Sequence, residues 1–442
     1  MKKISVIGAG LSGLISAWYI KEFHPEAEVT IFEADKAGGQ ISSEEYEGVI
    51  LEKGPAYLTL ENPVLHYALS KCGSSDLQLC NAEKSYVLKE SYYQKAPGGF
   101  MEFEHGRLSF LSGGIFSIFG LKKKAAIWDN VSFYDFLKST YGLTYAETFG
   151  SMFARNIFYC EAENLNFRAA YSELYDQLKK GQSLKESLQT FAKQKEDYWQ
   201  SELKQNFVPG IYYFKDGLGK LIDILTDDLK KKNCHIEYAK IHDITEQKGE
   251  YLLHSKHSKY GPFQNIISTA GAHDQAVYWK SLNKDLSQQL SELKYSSVSY
   301  VYSNYNFKDF NRAGLGFLAS RKEKLTVSGA TYMNALNKNI EKNQQFLART
   351  IIPGDLSLFK DDELVEMQVN DFEKVFGLTI KPLWSRVYRN EGPLLDTHYT
   401  AWKNSIKDAI KDLPSLSIIG KDMSGADISQ ILQEAYKTAK NL

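Results

Sequence analysis

Gly8, Gly10 and Gly13, with Glu33 twenty residues beyond the last of them, form a set that could hold a dinucleotide. Gly8 permits a sharp turn, Gly10 lets a pyrophosphate approach the backbone, and Gly13 lets a helix pack close to a strand. The phosphates would sit at the helix N-terminus, where free N–H groups and the helix dipole favour negative charge. Glu33 stands where an acid can accept hydrogen bonds from ribose hydroxyls. No other chemistry is signalled as specifically. There is no Ser/His/Asp arrangement, no HExxH and no P-loop, and the nine histidines are scattered. Cys72, Cys80, Cys160 and Cys234 lack CxxC or zinc-finger spacing, so they read as reduced thiols and no metal is expected.

The elements that must place these residues are legible around them. The run Ile4-Ser5-Val6-Ile7 reads as a strand, the following amphipathic stretch as a helix, and Val29–Glu33 as a second strand. Lys2-Lys3 ahead of an uncharged stretch also has the look of a secretory signal. The spaced glycines and the direct run into a second strand favour the βαβ reading. Further on, residues 48–52 read as a strand running into the Gly54-Pro55 turn and 63–72 as a helix. Residues 84–107 read as hairpins and 125–205 as mostly helical. A strong amphipathic helix is expected at 218–232, strands at 235–238, 241–244 and 251–254, and a buried strand at 265–270. Residues 295–355 alternate like an antiparallel sheet, and a helix follows at 361–376. Ser417–Gly420 reads as a strand and glycine turn, and Asp427 opens a terminal helix.

At 442 residues the chain is long enough for two or three domains. With 43% hydrophobic and 24% charged residues it is an ordinary folded protein, and a formal charge of −1 gives no reason to expect nucleic acid. No window beyond the N-terminal unit holds eighteen apolar residues, so no transmembrane helix is expected. The uncharged run 108–121 ahead of Lys122-Lys123-Lys124 is too short to span a bilayer. It suits a peripheral membrane contact through 108–124, or a channel or core segment. The expected location is cytoplasmic, at the inner face of the membrane if that contact is made.

Several stretches in order along the chain resemble the FAD-dependent amine-oxidase-like superfamily and, within it, the protoporphyrinogen and coproporphyrinogen oxidases. Glu33-Ala34 with Gly38-Gly39 is similar to that family's acid–alanine and Gly-Gly elements, and Glu52-Lys53-Gly54-Pro55 to its Glu-Arg-Gly-Pro turn. Leu165–Ala170, Gly181–Leu184 and Phe214–Leu221 lean towards the porphyrinogen branch. Ile418-Ile419-Gly420 and Gly425–Ile428 look like the C-terminal segment that closes over the flavin. The resemblance implies an α/β fold: a Rossmann-like FAD-binding domain, an antiparallel-sheet substrate domain and a helical insertion. The FAD-binding domain would take 1–62, 205–270 and 385–442, the substrate domain 63–95 and 271–384, and the insertion 96–204.

Carried over residue by residue, Gly8, Gly10, Ser12, Gly13, Glu33, Gly38 and Gly39 would hold the adenosine and pyrophosphate, and Ile241 would lie by the adenine. Gly54 and Pro55 would approach the isoalloxazine, and Gly420 and Ile428 would close over it. The chain departs from the family where an arginine is expected before Gly-Gly, with Lys36 the nearest cation, and where Phe116 falls at a substrate-side arginine. The implied reaction is oxidation of a porphyrinogen by hydride transfer to the flavin, with dioxygen as acceptor, in haem biosynthesis. Alternatives are an amine oxidase-like or polyene desaturase-like enzyme, or a non-catalytic flavin-binding protein. No catalytic side chain is implied. A ring bearing carboxylates asks for cations and aromatics, and the candidates are Arg155 and Arg168 with Phe153, Phe158, Tyr159 and Tyr332. Oligomeric state stays open.

Overall fold

The computed structural model describes residues 1–80, 86–89, 92–95, 127–181, 184–413, 415–425 and 427–442. The segment 108–124 and Phe116 lie outside the described residues, as does most of 84–107.

Five strands form a parallel sheet in the order His235–Tyr238, Glu28–Glu33, Lys3–Ile7, Asn265–Ser268 and Leu416–Ile418. The first strand is central because its Val6 and Ile7 pair on both sides, with Ile31 and Phe32 and with Ile267 and Ser268. Parallel strands buried on both faces read as continuous apolar runs, which is why 4–7, 29–32 and 265–268 were visible in the sequence. The helix Leu11–Phe23 covers one face together with Gly219–Lys231 and the terminal helix Ile428–Lys440. Its Tyr19 ring meets Tyr436 edge-on at 4.9 Å, and its Trp18 Nε1 donates to Asp228 at 2.8 Å. The stretch expected to be amphipathic is instead buried at every position from Leu11 to Ile20. Enclosed by other helices and the sheet, it has no solvent face to pattern. A three-stranded antiparallel sheet, Ile241–Gln247, Glu250–Ser255 and Lys259–Phe263, lies against the other face, where Phe32 meets Tyr260 and Phe263.

The second large sheet has seven strands, in the order Trp384–Pro393, Tyr295–Asn306, Gln345–Pro353, Gly329–Tyr332, Gly316–Ala319, Tyr86–Lys89 and Tyr92–Lys95. Its pairs are antiparallel except that between Gly316–Ala319 and Tyr86–Lys89. The alternation expected over 295–355 is missing from Tyr295–Asn306, where Val298 to Tyr305 are all buried. The helix Asp361–Phe376 covers one face through Leu364 and Phe372, and other chain segments cover the opposite one. The edge strand Trp384–Pro393 belongs to this sheet, so the boundary expected at 384/385 falls at its first residues.

Between the sheets in sequence, helices Phe133–Tyr141, Ser151–Ile157, Ser172–Lys179 and Leu184–Leu203 form the helical portion. Ser132 caps the first of them by accepting the Asp135 N–H at 2.9 Å, and Phe136 stacks on Phe167 at 3.9 Å. Among the described residues no helix is long and apolar enough to cross a membrane.

Candidate active site

A cavity of about 530 Å³ opens at the C-terminal edge of the parallel sheet and runs towards the seven-stranded sheet. That is within the range of small-molecule sites and at the place where open parallel sheets bind ligands. Ten of the twelve expected cofactor residues line it: Gly8, Gly10, Ser12, Glu33, Gly38, Gly39, Gly54, Pro55, Ile241 and Ile428. The other two, Gly13 and Gly420, stand just behind the wall. A Cβ on Gly13 would lie 1.9 Å from the Gly8 carbonyl oxygen, so this glycine lets the helix meet the strand turn. Gly420 packs between Thr269 and Ser12.

The turn itself is held by hydrogen bonds. Gly8 N–H donates to the Phe32 carbonyl at 2.8 Å, and Thr269 Oγ1 donates to the Ile7 carbonyl at 3.0 Å. Glu33 does more than face the cavity: one carboxylate oxygen accepts the Ala9 N–H at 2.8 Å and the other accepts the Asp35 N–H at 3.0 Å. The acid braces the glycine turn and orients itself in doing so. Two further features suit a pyrophosphate. Among the described residues the buried Ser12 hydroxyl has no hydrogen-bond partner, and a Cβ on Gly10 would meet nothing within 4 Å. An orphaned donor and an open backbone edge at a helix N-terminus are what an anionic ligand satisfies.

At Gly54, which lines the cavity, the structure shows a second reason for glycine. Its Cβ would lie 1.9 Å from the Gln40 carbonyl oxygen, so the residue is small to let two backbones pass. The remaining wall at this end comes from distant segments: Phe158 and Tyr159, Tyr300, and Asn390 to Pro393. Tyr159 adopts φ +56°, a rare conformation for a bulky residue, and its hydroxyl meets that of Tyr300 at 2.9 Å. Burial holds the Tyr159 phenol well above its ordinary pKa, so it stays neutral. Lys421 and Asp422 also face the cavity. Lys421 donates to the Glu391 carbonyl, and burial lowers its pKa. Asp422 accepts the Ala272 N–H at 2.7 Å and the Tyr295 hydroxyl.

Of the six expected substrate residues, Phe158 and Tyr159 line the cavity and four do not. Arg155 is buried elsewhere, its guanidinium donating to the Leu325 carbonyl at 3.3 Å and lying 3.6 Å from Glu161. Arg168 is half exposed, 3.8 Å from Asp176 and over the Tyr175 ring. Phe153 and Tyr332 are buried in separate hydrophobic clusters. Thr269, Tyr300, Asn390 and Lys421 were missed. Thr269 had a signal, since it ends a buried strand beside the glycine turn; Tyr300 has none. No cluster of His, Cys, Asp and Glu among the described residues could hold a metal.

Residues 11–406 match the model of the flavin containing amine oxidoreductases. The chain belongs to that family. This flavin amine oxidoreductase-family chain is an FAD-dependent oxidoreductase, and the orphaned Ser12 hydroxyl and open Gly10 edge fit its cofactor's pyrophosphate. It is 23% identical to the coproporphyrinogen III oxidase of Staphylococcus aureus over 88% of this chain and 87% of that one. It is 22% identical to the mitochondrial protoporphyrinogen oxidase of Nicotiana tabacum over 99% and 94%. A solved protein of Exiguobacterium sp. 255-15 shares the fold with a TM-score of 0.75 at 17% identity, covering 99% of this chain and 98% of its own.

Proposed function

We propose that the protein oxidises a porphyrinogen, coproporphyrinogen III or protoporphyrinogen IX, to the porphyrin as a step of haem biosynthesis. The observation that carries this reading is the aromatic end of the cavity, where Phe158, Tyr159 and Tyr300 wall a space continuous with the glycine turn. The names of the two relatives select a porphyrinogen among the flat apolar molecules such a space takes.

Bound FAD would supply the acceptor for a hydride from a meso carbon and a route for the electrons to dioxygen. The chain's part is positioning. Gly8, Gly10 and Ser12 hold the pyrophosphate and Glu33 the adenosine ribose, with Gly38, Gly39 and Ile241 beside them. Gly54, Pro55 and Ile428 enclose the flavin, and Gly420 keeps the closing segment in place. Phe158 and the rings of Tyr159 and Tyr300 form an aromatic wall, with the two tyrosine hydroxyls bonded to each other. The wall excludes water and sets the ring against the flavin.

Anaerobic mixing of the FAD-loaded protein with each porphyrinogen tests the reading. Loss of the flavin absorbance with one or both is expected. Loss with neither, or only with an amine, overturns it. The run 108–124 carries the accompanying proposal of a peripheral membrane contact. Retention on anionic liposomes at low salt is expected, and full recovery in the unbound fraction overturns that contact.

A further inference from the structure

Arg349 lies on the strand Gln345–Pro353 of the seven-stranded sheet and is 4% exposed. No carboxylate among the described residues comes within ion-pair distance of it. Its Nη2 donates to the Gly54 carbonyl at 2.7 Å, and its Nε is buried with no partner among the described residues. The guanidinium sits over the Tyr300 ring, 3.6 Å from the centroid, with the Tyr302 ring at 5.9 Å. Tyr57, Tyr159, Tyr300 and Tyr302 surround it. The acid that faces it is Glu52, whose two oxygens accept the Leu218 N–H and the Ser43 hydroxyl, each at 2.7 Å. Burial lifts the Glu52 pKa to about 7, so it supplies less than a full counter-charge.

A buried guanidinium with so little compensation is costly to keep. Aromatic faces offset part of that cost, and the Gly54 carbonyl offsets more. The remainder suits negative charge that develops on a ligand beside it. Gly54 and Tyr300, the two groups Arg349 touches, both line the cavity, at the end away from Glu33. A dinucleotide with its pyrophosphate on Gly8–Ser12 and its adenosine ribose at Glu33 puts its isoalloxazine at that end.

We propose that Arg349 is a positioning residue for charge. From behind Gly54 and Tyr300 it stabilises the one negative charge left on the isoalloxazine after a substrate C–H bond breaks and hydride brings two electrons and one proton. The proposal rests on the FAD placement given above. Charge acts over such distances because the site is buried and poorly screened.

The experiment compares wild type, Arg349→Gln and Arg349→Lys as full-length, FAD-loaded proteins. Flavin content is measured first, then the two-electron midpoint potential and the dissociation constant for sulfite, which also leaves negative charge on the ring. At equal flavin loading, Arg349→Gln is expected to weaken sulfite binding at least tenfold. A tenfold change in a two-electron equilibrium corresponds to a fall of about 30 mV in potential. Arg349→Lys is expected to recover most of both. Unchanged sulfite affinity and potential in loaded Arg349→Gln overturn the proposal, because a merely structural arginine would move loading or Tm and leave these readouts alone. If Arg349→Gln does not fold, wild type decides: sulfite binding no tighter than to free FAD overturns it. A wild type that takes up no FAD overturns the cofactor placement instead.

Discussion

The two ends of the cavity are built by different means. The end at the parallel sheet is made of backbone: a glycine turn between Ile7 and Leu11, a helix N-terminus, and an acid that braces the turn through the Ala9 N–H. Its parts lie within about thirty consecutive residues. The end at the seven-stranded sheet is made of side chains, Phe158, Tyr159, Tyr300 and Asn390, drawn from three distant segments. A backbone cradle recognises what its ligands share, here a pyrophosphate. A side-chain wall recognises what differs between them, and it can change without disturbing the cradle.

The comparison breaks first at Gly13. A Cβ there meets the Gly8 carbonyl at 1.9 Å, and both sides of that contact are backbone with no side chain to yield. Gly13→Val is expected to cost about 3 kcal/mol or more in stability and to abolish FAD binding, read as flavin absorbance against protein. Gly10→Ala is its control, since that Cβ points into open space. It should leave the apoprotein's Tm unchanged while weakening FAD. Normal flavin content in Gly13→Val would show that the cradle is not the rigid part.

The same contrast explains what could be read from sequence. Strand, turn, helix and acid are local, so residue spacing alone placed Gly8, Gly10, Gly13 and Glu33. The strand 265–268 was visible as an apolar run because parallel strands are buried on both faces. At the other end residue type misleads. Phe153 and Tyr332 are aromatic, as the expected wall is, yet they are 1% and 0% exposed and do not line the cavity. Tyr300 and Arg349 sit on strands buried along most of their length, where no periodicity marks one residue as facing a ligand. Their roles come from strand pairing across the sheet, which spacing does not encode. Gly54 lines the cavity, and its smallness also serves the Gln40 backbone, which spacing does not show.

The next effects sharpen the comparison at the junction of the two ends. Glu52, bonded to Leu218 and Ser43, has its pKa raised from 4.5 to about 7 by burial. An acid with a raised native pKa contributes stability that is complete below about pH 4.5 and is lost as pH rises through about 7. The shift is worth roughly 3 kcal/mol. Glu52→Gln can still accept the Leu218 N–H and can donate to the Ser43 hydroxyl, so it should be more stable than wild type at pH 8 and little different at pH 4. Denaturation midpoints at the two pH values check this, and an equal offset at both would refute it. A smaller effect is expected at the wall. Tyr300→Phe removes one hydroxyl contact, worth about 1 kcal/mol, and should lower kcat about fivefold with flavin content unchanged. A loss of flavin instead would mean that Tyr300 serves the cradle.

The smallest effect is expected at Arg168, where a carboxylate contact was anticipated from its type and neighbourhood. Its side chain is 45% exposed, 3.8 Å from an equally solvated Asp176, and its guanidinium lies 5.4 Å from the Tyr175 centroid. Exposed pairs of this kind contribute about 0–1 kcal/mol. Arg168→Ala should therefore leave KM for a porphyrinogen within about twofold of wild type, with Tm nearly unchanged. A large rise in KM with unaltered kcat and flavin content would place a substrate carboxylate at Arg168. The second end of the cavity would then reach beyond the wall of Phe158, Tyr159 and Tyr300, and substrate selection would depend on the helical portion as well as on the sheet.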